Sequence, residues 1–257
     1  MGFLTETVDD VRRRLERDPP DESRLLALAT GLPPARGFAA AFWSAEPPAV
    51  IAEVKRASPS AGPIADADPT ALARAYEGAG AAAISVLTEP RHFDGSLADL
   101  RAVHLATSVP VLRKDFLVHP AQLIEARVEG ADAALLIAAA LSEHELAAML
   151  ATAGDLGLGT LLEVHSEDDL ETALATDAKV LGVNARDLET LEVDRERALA
   201  LLGEVPEDRI AVAESGISTR DDVERATRAG ARAVLVGEAL MRAPDPAARI
   251  RELRGRP

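Results

Sequence analysis

Arginine is the default cation of this chain. Of 28 basic residues only three are lysines, Lys55, Lys114 and Lys179. Arginine stays protonated in proteins, whereas a lysine can give up and regain a proton, so lysines that survive such a bias are candidates for proton chemistry. Two of them stand beside carboxylates, in Glu53-Val54-Lys55 and Arg113-Lys114-Asp115. Further polar strings are Glu163-Val164-His165, Asn184-Ala185-Arg186, Glu214-Ser215-Gly216 and Gly237-Glu238. Ammoniums and carboxylates brought to one place supply both an acid and a base. Glycines such as Gly216 and Gly237 let backbone N–H groups close on a phosphate, and a following helix N-terminus adds partial positive charge.

Each string closes a short aliphatic run. The runs are 49–54, 82–87, 109–112, 132–137, 159–164, 179–183, 210–213 and 233–236. Their spacing leaves room for one strand, one helix and two short loops, and the intervening segments have helical periodicity. Residues 69–79 follow a cap at Asp68 with Pro69 in the first turn. Residues 142–153 open on Ser142 with Glu145 three residues on, a capping box. A helix over 219–230 ends at Gly230, and Gly80 and Gly130 are placed in the same way.

Eight strand–helix units without a composition break predict one parallel sheet closed into a (β/α)8 TIM barrel, at about the ~250 residues usual for it. An open doubly wound sheet is the competing architecture. It would carry a glycine-rich fingerprint after the first strand, where this chain has KRASPSAG, and its G-x-G strings, at 78–80 and 157–159, each precede a strand. In a closed barrel the polar strings all fall at the mouth formed by the strand C-termini. A ring of structural ion pairs would also place charges there, but the convergence of two of three lysines with three glutamates favours chemistry.

Residues 49–257 form the expected barrel catalytic domain. Residues 1–48 precede the first strand as an N-terminal helical extension, with a charged helical pattern over 8–16, a Pro/Asp turn over 18–22 and a helical stretch over 23–30. It reads as an addition to a complete barrel, either a lid over one mouth or a plug for the other.

Composition excludes several functions. A formal charge of −15 argues against nucleic acid and anionic membrane surfaces as partners. The chain has no cysteine, which removes disulfides, Cys-ligated metals and thiol nucleophiles. Its longest apolar run, 131–141, is too short to span a bilayer and contains Asp132. The first residues lack a signal-peptide pattern, and Glu6 spoils a myristoylation site. A cytoplasmic protein is expected. None of the five histidines is spaced for a metal site. His92 and His165 lie near strand tops as loop or supporting groups, and neither a metal nor a nucleotide cofactor is indicated.

The strings IAEVKRASPSAG, SVLTEPRHFDGS, PVLRKDF, LLEVHSEDDLE, LGVNARDL, VAESGIS and AVLVGEALM, over residues 51–241, resemble the indole-3-glycerol phosphate synthase family of tryptophan biosynthesis. The resemblance implies a carboxy-lyase without cofactor. It closes the ring of 1-(2-carboxyphenylamino)-1-deoxyribulose 5-phosphate to give indole-3-glycerol phosphate, CO2 and water. By similarity Lys114 is the general acid at the ketone oxygen. Lys55 holds anionic groups and shares in proton transfer, and Glu163 acts in dehydration. Glu53 and Asn184 orient the lysines and substrate hydroxyls, while Glu214 and Ser215 line the mouth. Gly216, Gly237 and Glu238 take the phosphate, and Ser58 and Arg186 support the substrate. Phe93, Phe116, Leu135, Leu188 and Leu235 form an apolar wall for the anthranilate ring. A second nearby ammonium is expected to lower the pKa of Lys114 and make it a stronger donor.

The chain departs from the common family pattern at Ala61, Ala185 and Leu191. The missing lysine at Ala61 bears on substrate affinity. Two other readings remain at this point: a barrel whose lysine forms a Schiff base with a ketose phosphate, and a barrel kept as a binding module. A paralogue serving another indole pathway has the same sequence features.

Overall fold

A computed structural model describes residues 2–256. Eight parallel strands close a barrel: β1 (Ala49–Val54), β2 (Ala83–Leu87), β3 (Val111–Lys114), β4 (Ala133–Ile137), β5 (Gly159–Val164), β6 (Val180–Asn184), β7 (Ile210–Glu214) and β8 (Ala233–Val236). Each pairs with its sequence neighbour, and β8 closes on β1 through Ala49↔Ala233 to Ala52↔Val236. The strands are buried nearly throughout, which is why they read as continuous aliphatic runs rather than alternating ones.

Before the barrel come α1 (Phe3–Arg17), α2 (Glu22–Ala29) and α3 (Phe38–Ser44). After β1 come α4 (Pro69–Gly78), α5 (Leu97–Ala106), α6 (Pro120–Val128), α7 (Glu143–Asp155), α8 (Glu167–Leu174), α9 (Arg195–Gly203), α10 (Arg220–Arg228), the short α11 (Glu238–Met241) and α12 (Pro246–Leu253). The caps stand where the sequence places them. Asp68 accepts from Thr70 N–H, and Ser142 and Glu145 cap α7 reciprocally. Gly230, at φ +111°, takes a backbone conformation that L side chains rarely adopt.

Three departures from expectation matter most, apart from one- or two-residue shifts at the ends of other elements. The third strand runs over Val111–Lys114 rather than 109–112, because Pro110 cannot donate to the ladder while Lys114 pairs with Leu87. The first helix starts at Phe3, not at residue 8, since Leu4, Val8 and Val11 form its buried face. The third helix, α3, was not anticipated: it is short, and its apolar run FAAAFWS has no periodicity to separate it from a strand.

The extension divides between the two ends of the barrel. Phe3 of α1 lines the pocket at the strand C-termini, and the N–H groups of Phe3 and Leu4 donate to the carbonyls of Glu189 and Leu188 in the loop after β6. Asp10 pairs with Arg91 of the loop after β2, at 2.6 Å. The opposite end is closed by α3. Phe38 packs where Gly159 opens β5 and Ala133 opens β4, and Phe42 is fully buried. Arg232, just before β8, donates to the carbonyls of Phe42 and Trp43. One segment of the extension thus borders the mouth of the barrel and another covers its opposite end.

Candidate active site

The pocket at the C-terminal mouth has a cavity volume of about 140 Å³ and opens to solvent. Strand alternation lines it with every second residue: Glu53 and Lys55, Leu135 and Ile137, Leu235 and Gly237. All the candidate residues from the sequence border it: Glu53, Lys55, Ser58, Phe93, Lys114, Phe116, Leu135, Glu163, Asn184, Arg186, Leu188, Glu214, Ser215, Gly216, Leu235, Gly237 and Glu238. Lys179 is exposed at the start of β6, away from them.

The polar groups form one network. Lys114 Nζ donates to Glu163 Oε2 at 3.1 Å and lies 3.4 Å from Glu214 Oε2. Asn184 Nδ2 donates to the other Glu163 oxygen at 3.1 Å. Lys55 Nζ pairs with Glu53 Oε2 at 2.8 Å. Burial alone would lower the pKa of Lys114, but the charges of Glu163, Glu214 and Glu53 outweigh it and hold the ammonium well above the ordinary lysine range. The expected lowering by a second ammonium is thus overturned: Lys55 is neutralised by Glu53, and the carboxylates prevail at Lys114. Burial also opposes ionisation of Glu163, but Lys114, His165 and Asn184 overcome it and keep the carboxylate ionised far below its usual value. Glu214 goes the other way. Burial, then the negative charge of Glu163, pushes its pKa up to about 8, so near neutrality it carries a proton.

Two glycines make room for these carboxylates. A side chain at Gly182 on β6 would collide with Glu214 Oε1, and one at Gly237 would collide with Glu53 Oε2. Gly182 was missed by sequence reading; its signal was a glycine inside a strand, which marks close approach. Ser215 and Gly216 are both left-handed, at φ +63° and +69°, which turns the chain sharply out of β7. At the start of α10 the Asp222 carboxylate already accepts from the N–H groups of Ser218 and Thr219 at 3.0 and 2.9 Å, which places a negative charge there. An anion at this end of the pocket would meet the loop backbone at Gly216 and Gly237, the latter the N-cap of α11.

One wall is aromatic. Phe116 lies 6.4 Å from Phe93 and 6.0 Å from Phe3, ring centre to ring centre. Phe3 was missed because its contact depends on how the extension folds back. The loop that presents Phe93 is organised by the buried Glu89, which accepts from the N–H groups of Arg91 and His92 at 3.0 and 2.6 Å. Arg186 is anchored by the Leu191 carbonyl at 2.7 Å. Ala61 sits at the tip of the small hairpin after β1, its N–H donating to Ser58 Oγ at 3.2 Å.

A closed parallel barrel with proton donors, ionised and neutral carboxyls and an apolar wall at its C-terminal mouth defines a TIM-barrel enzyme. The profile of the family described as indole-3-glycerol phosphate synthase matches residues 4–253. A Micrococcus luteus protein named indole-3-glycerol phosphate synthase is 48% identical over 99% of this chain and 97% of that protein. One of the same name from Rhodopirellula baltica is 46% identical over 95% of this chain and 96% of its own length. A crystal structure of 3-hexulose-6-phosphate synthase matches with a TM-score of 0.65 at 18% identity, over 80% of this chain and 98% of that one; this likeness speaks to the fold alone. The chain belongs to the indole-3-glycerol phosphate synthase family.

Proposed function

We propose that this pocket converts 1-(2-carboxyphenylamino)-1-deoxyribulose 5-phosphate to indole-3-glycerol phosphate, CO2 and water, with the residue roles that the family resemblance implies and the geometry supports. The observation that carries the reading is Lys114 Nζ held between Glu163 and Glu214 inside the pocket. The aryl carbon bearing the carboxylate attacks the substrate ketone, and the ketone oxygen becomes an alkoxide as the new bond forms. An alkoxide is far more basic than any lysine, so an ammonium with a raised pKa still transfers its proton downhill, late in bond formation. Loss of CO2 returns the electron pair to the ring. The hydroxyl then leaves as water, which needs an acid, and the pyrrole double bond forms by loss of a proton, which needs a base. Glu163, ionised and in contact with Lys114, serves as the base in dehydration. The neutral Glu214 lines the same mouth with a proton to give.

The Lys55–Glu53 pair and Arg186 meet the substrate's anionic groups. Asn184 fixes the Glu163 carboxylate, and Glu53 also orients Lys55. The backbone of Gly216, Gly237 and Glu238 holds the phosphate, with Ser58 and Ser215 beside it. Phe93, Phe116, Leu135, Leu188 and Leu235 take the aromatic ring. The substrate is a phosphorylated small molecule and the setting the cytoplasm; among the described residues no helix is long and apolar enough to cross a membrane. A Schiff-base mechanism requires a neutral amine, and the ionised Glu163 held against Lys114 opposes it.

The test is turnover of the aminodeoxyribulose phosphate followed by indole fluorescence. Wild type should release product. Lys114→Met, which fills similar volume without a proton, should lose about 10²–10⁴ in kcat. A variant within about threefold of wild type would remove Lys114 from the chemistry.

A further inference from the structure

We propose that His165, braced by Asp169, is a positioning residue that fixes the Glu163 carboxylate without itself touching substrate. The proposal rests on the function argued above. His165 follows the last residue of β5, is buried and does not line the pocket. Its Nε2 lies 3.2 Å from Glu163 Oε1, the oxygen that also accepts from Asn184. Its Nδ1 lies 3.7 Å from Asp169 Oδ2. That Nε2 is buried and off the axis of a good hydrogen bond, so the contact with Glu163 is one of charge more than of hydrogen bonding. A buried ring nitrogen left in this state calls for a reason, and an adjacent catalytic carboxylate supplies one.

The brace is itself rigid. Asp169 sits in the first turn of α8 and accepts from the backbone N–H groups of His165 and Ser166 at 2.9 and 3.2 Å. Its own N–H donates to Ser166 Oγ at 3.1 Å. The cap of α8 thus fixes Asp169, Asp169 faces one side of the imidazole, and the other side faces Glu163. Lys114 takes the remaining oxygen of Glu163. The groups facing the ring are thus two carboxylates. Burial disfavours the imidazolium, but Asp169 and Glu163 outweigh it, raising the pKa to about 9. A cation behind Glu163 keeps that carboxylate from following Lys114 when the lysine gives up its proton.

Three variants test this in the full-length protein. His165→Gln keeps an N–H near the position of Nε2, and His165→Leu keeps bulk without a donor. His165→Leu should lower kcat about tenfold or more, with KM changed less than about twofold, and His165→Gln, which supplies an N–H but no charge, should recover only part of the loss. Asp169→Asn keeps an oxygen for the α8 cap but removes the charge. It should lower kcat less and move the alkaline limb of the pH profile to lower pH. Wild-type kcat in His165→Leu overturns the proposal. So does equal loss in His165→Leu and His165→Gln accompanied by a matching fall in Tm, the result for a purely structural group. If His165→Leu does not fold, Asp169→Asn decides, and an unchanged kcat and pH profile there also overturns it. Failure of the wild type to turn over the substrate would instead refute the function itself.

Discussion

Glu214 and Glu163 are the same residue type, both fully buried, within reach of one ammonium, yet they hold opposite protonation states near neutrality. The difference lies in partners: Glu163 has Lys114, Asn184 and His165, whereas neither oxygen of Glu214 has a hydrogen-bond partner. That asymmetry has a consequence for stability. Between the ordinary carboxyl value and about 8, the folded protein keeps a proton that the unfolded chain has released. Stability from this group is therefore complete at acid pH, falls as pH rises through that window, and is level above it. Glu214→Gln removes the slope. Its Tm should fall less than that of wild type between pH 5 and pH 8, leaving the variant more stable at pH 8.5 by ~1 kcal/mol or more, about 2–4 °C for a chain of this size. Identical Tm–pH curves for the two proteins would show that Glu214 ionises normally.

Among the elements, the extension carries the most separable roles. Removing residues 1–48 as a block would strip both ends of the barrel at once and read as a folding failure. Point substitutions separate the ends. Phe38→Ala, at the closed end, should lower stability by about 3–5 kcal/mol through lost burial and the cavity it leaves, with KM unchanged. Phe3→Ala, at the mouth, should leave Tm within a few degrees but raise KM several-fold, because the ring covers the aromatic wall and its loss admits water. Thermal melts and steady-state kinetics on the same preparations check both. A KM change in Phe38→Ala, or its absence in Phe3→Ala, would reverse the assignment of ends.

At the scale of the whole molecule, a chain of formal charge −15 must bind a substrate carrying a phosphate and a carboxylate. The acidic surface repels such a ligand at long range, so affinity has to come from the local cations Lys55, Lys114 and Arg186 and from backbone N–H groups. Inorganic phosphate shares that chemistry. It should compete with substrate and raise Tm in a concentration-dependent way, the stabilisation reaching ~2.7 kcal/mol at a hundred times its Kd. Absence of both effects, at up to 100-fold excess over the substrate KM, would count against a phosphate site at the loops after β7 and β8.

Strand number, strand direction and the residues at the strand ends were legible in the sequence, because strands buried on both faces must be aliphatic and any polar residue at their ends stands out. The resemblance to a known family came from those same strings. Glu53, Lys114, Glu163 and Asn184 could be chosen from local context alone, since period-two alternation places them on the inner face. What tertiary structure decided was everything set by distance between segments far apart in the chain. The protonation of Lys114 came out opposite to expectation because it depends on Glu163 and Glu214, 49 and 100 positions away, and on Lys55 being engaged by Glu53. Gly182 acquires its meaning, and Gly237 a second one, only from the carboxylates that fill the space they leave. Which barrel end each segment of the extension covers was also left to packing, because its short helices carry too little periodic signal to say which surface they face.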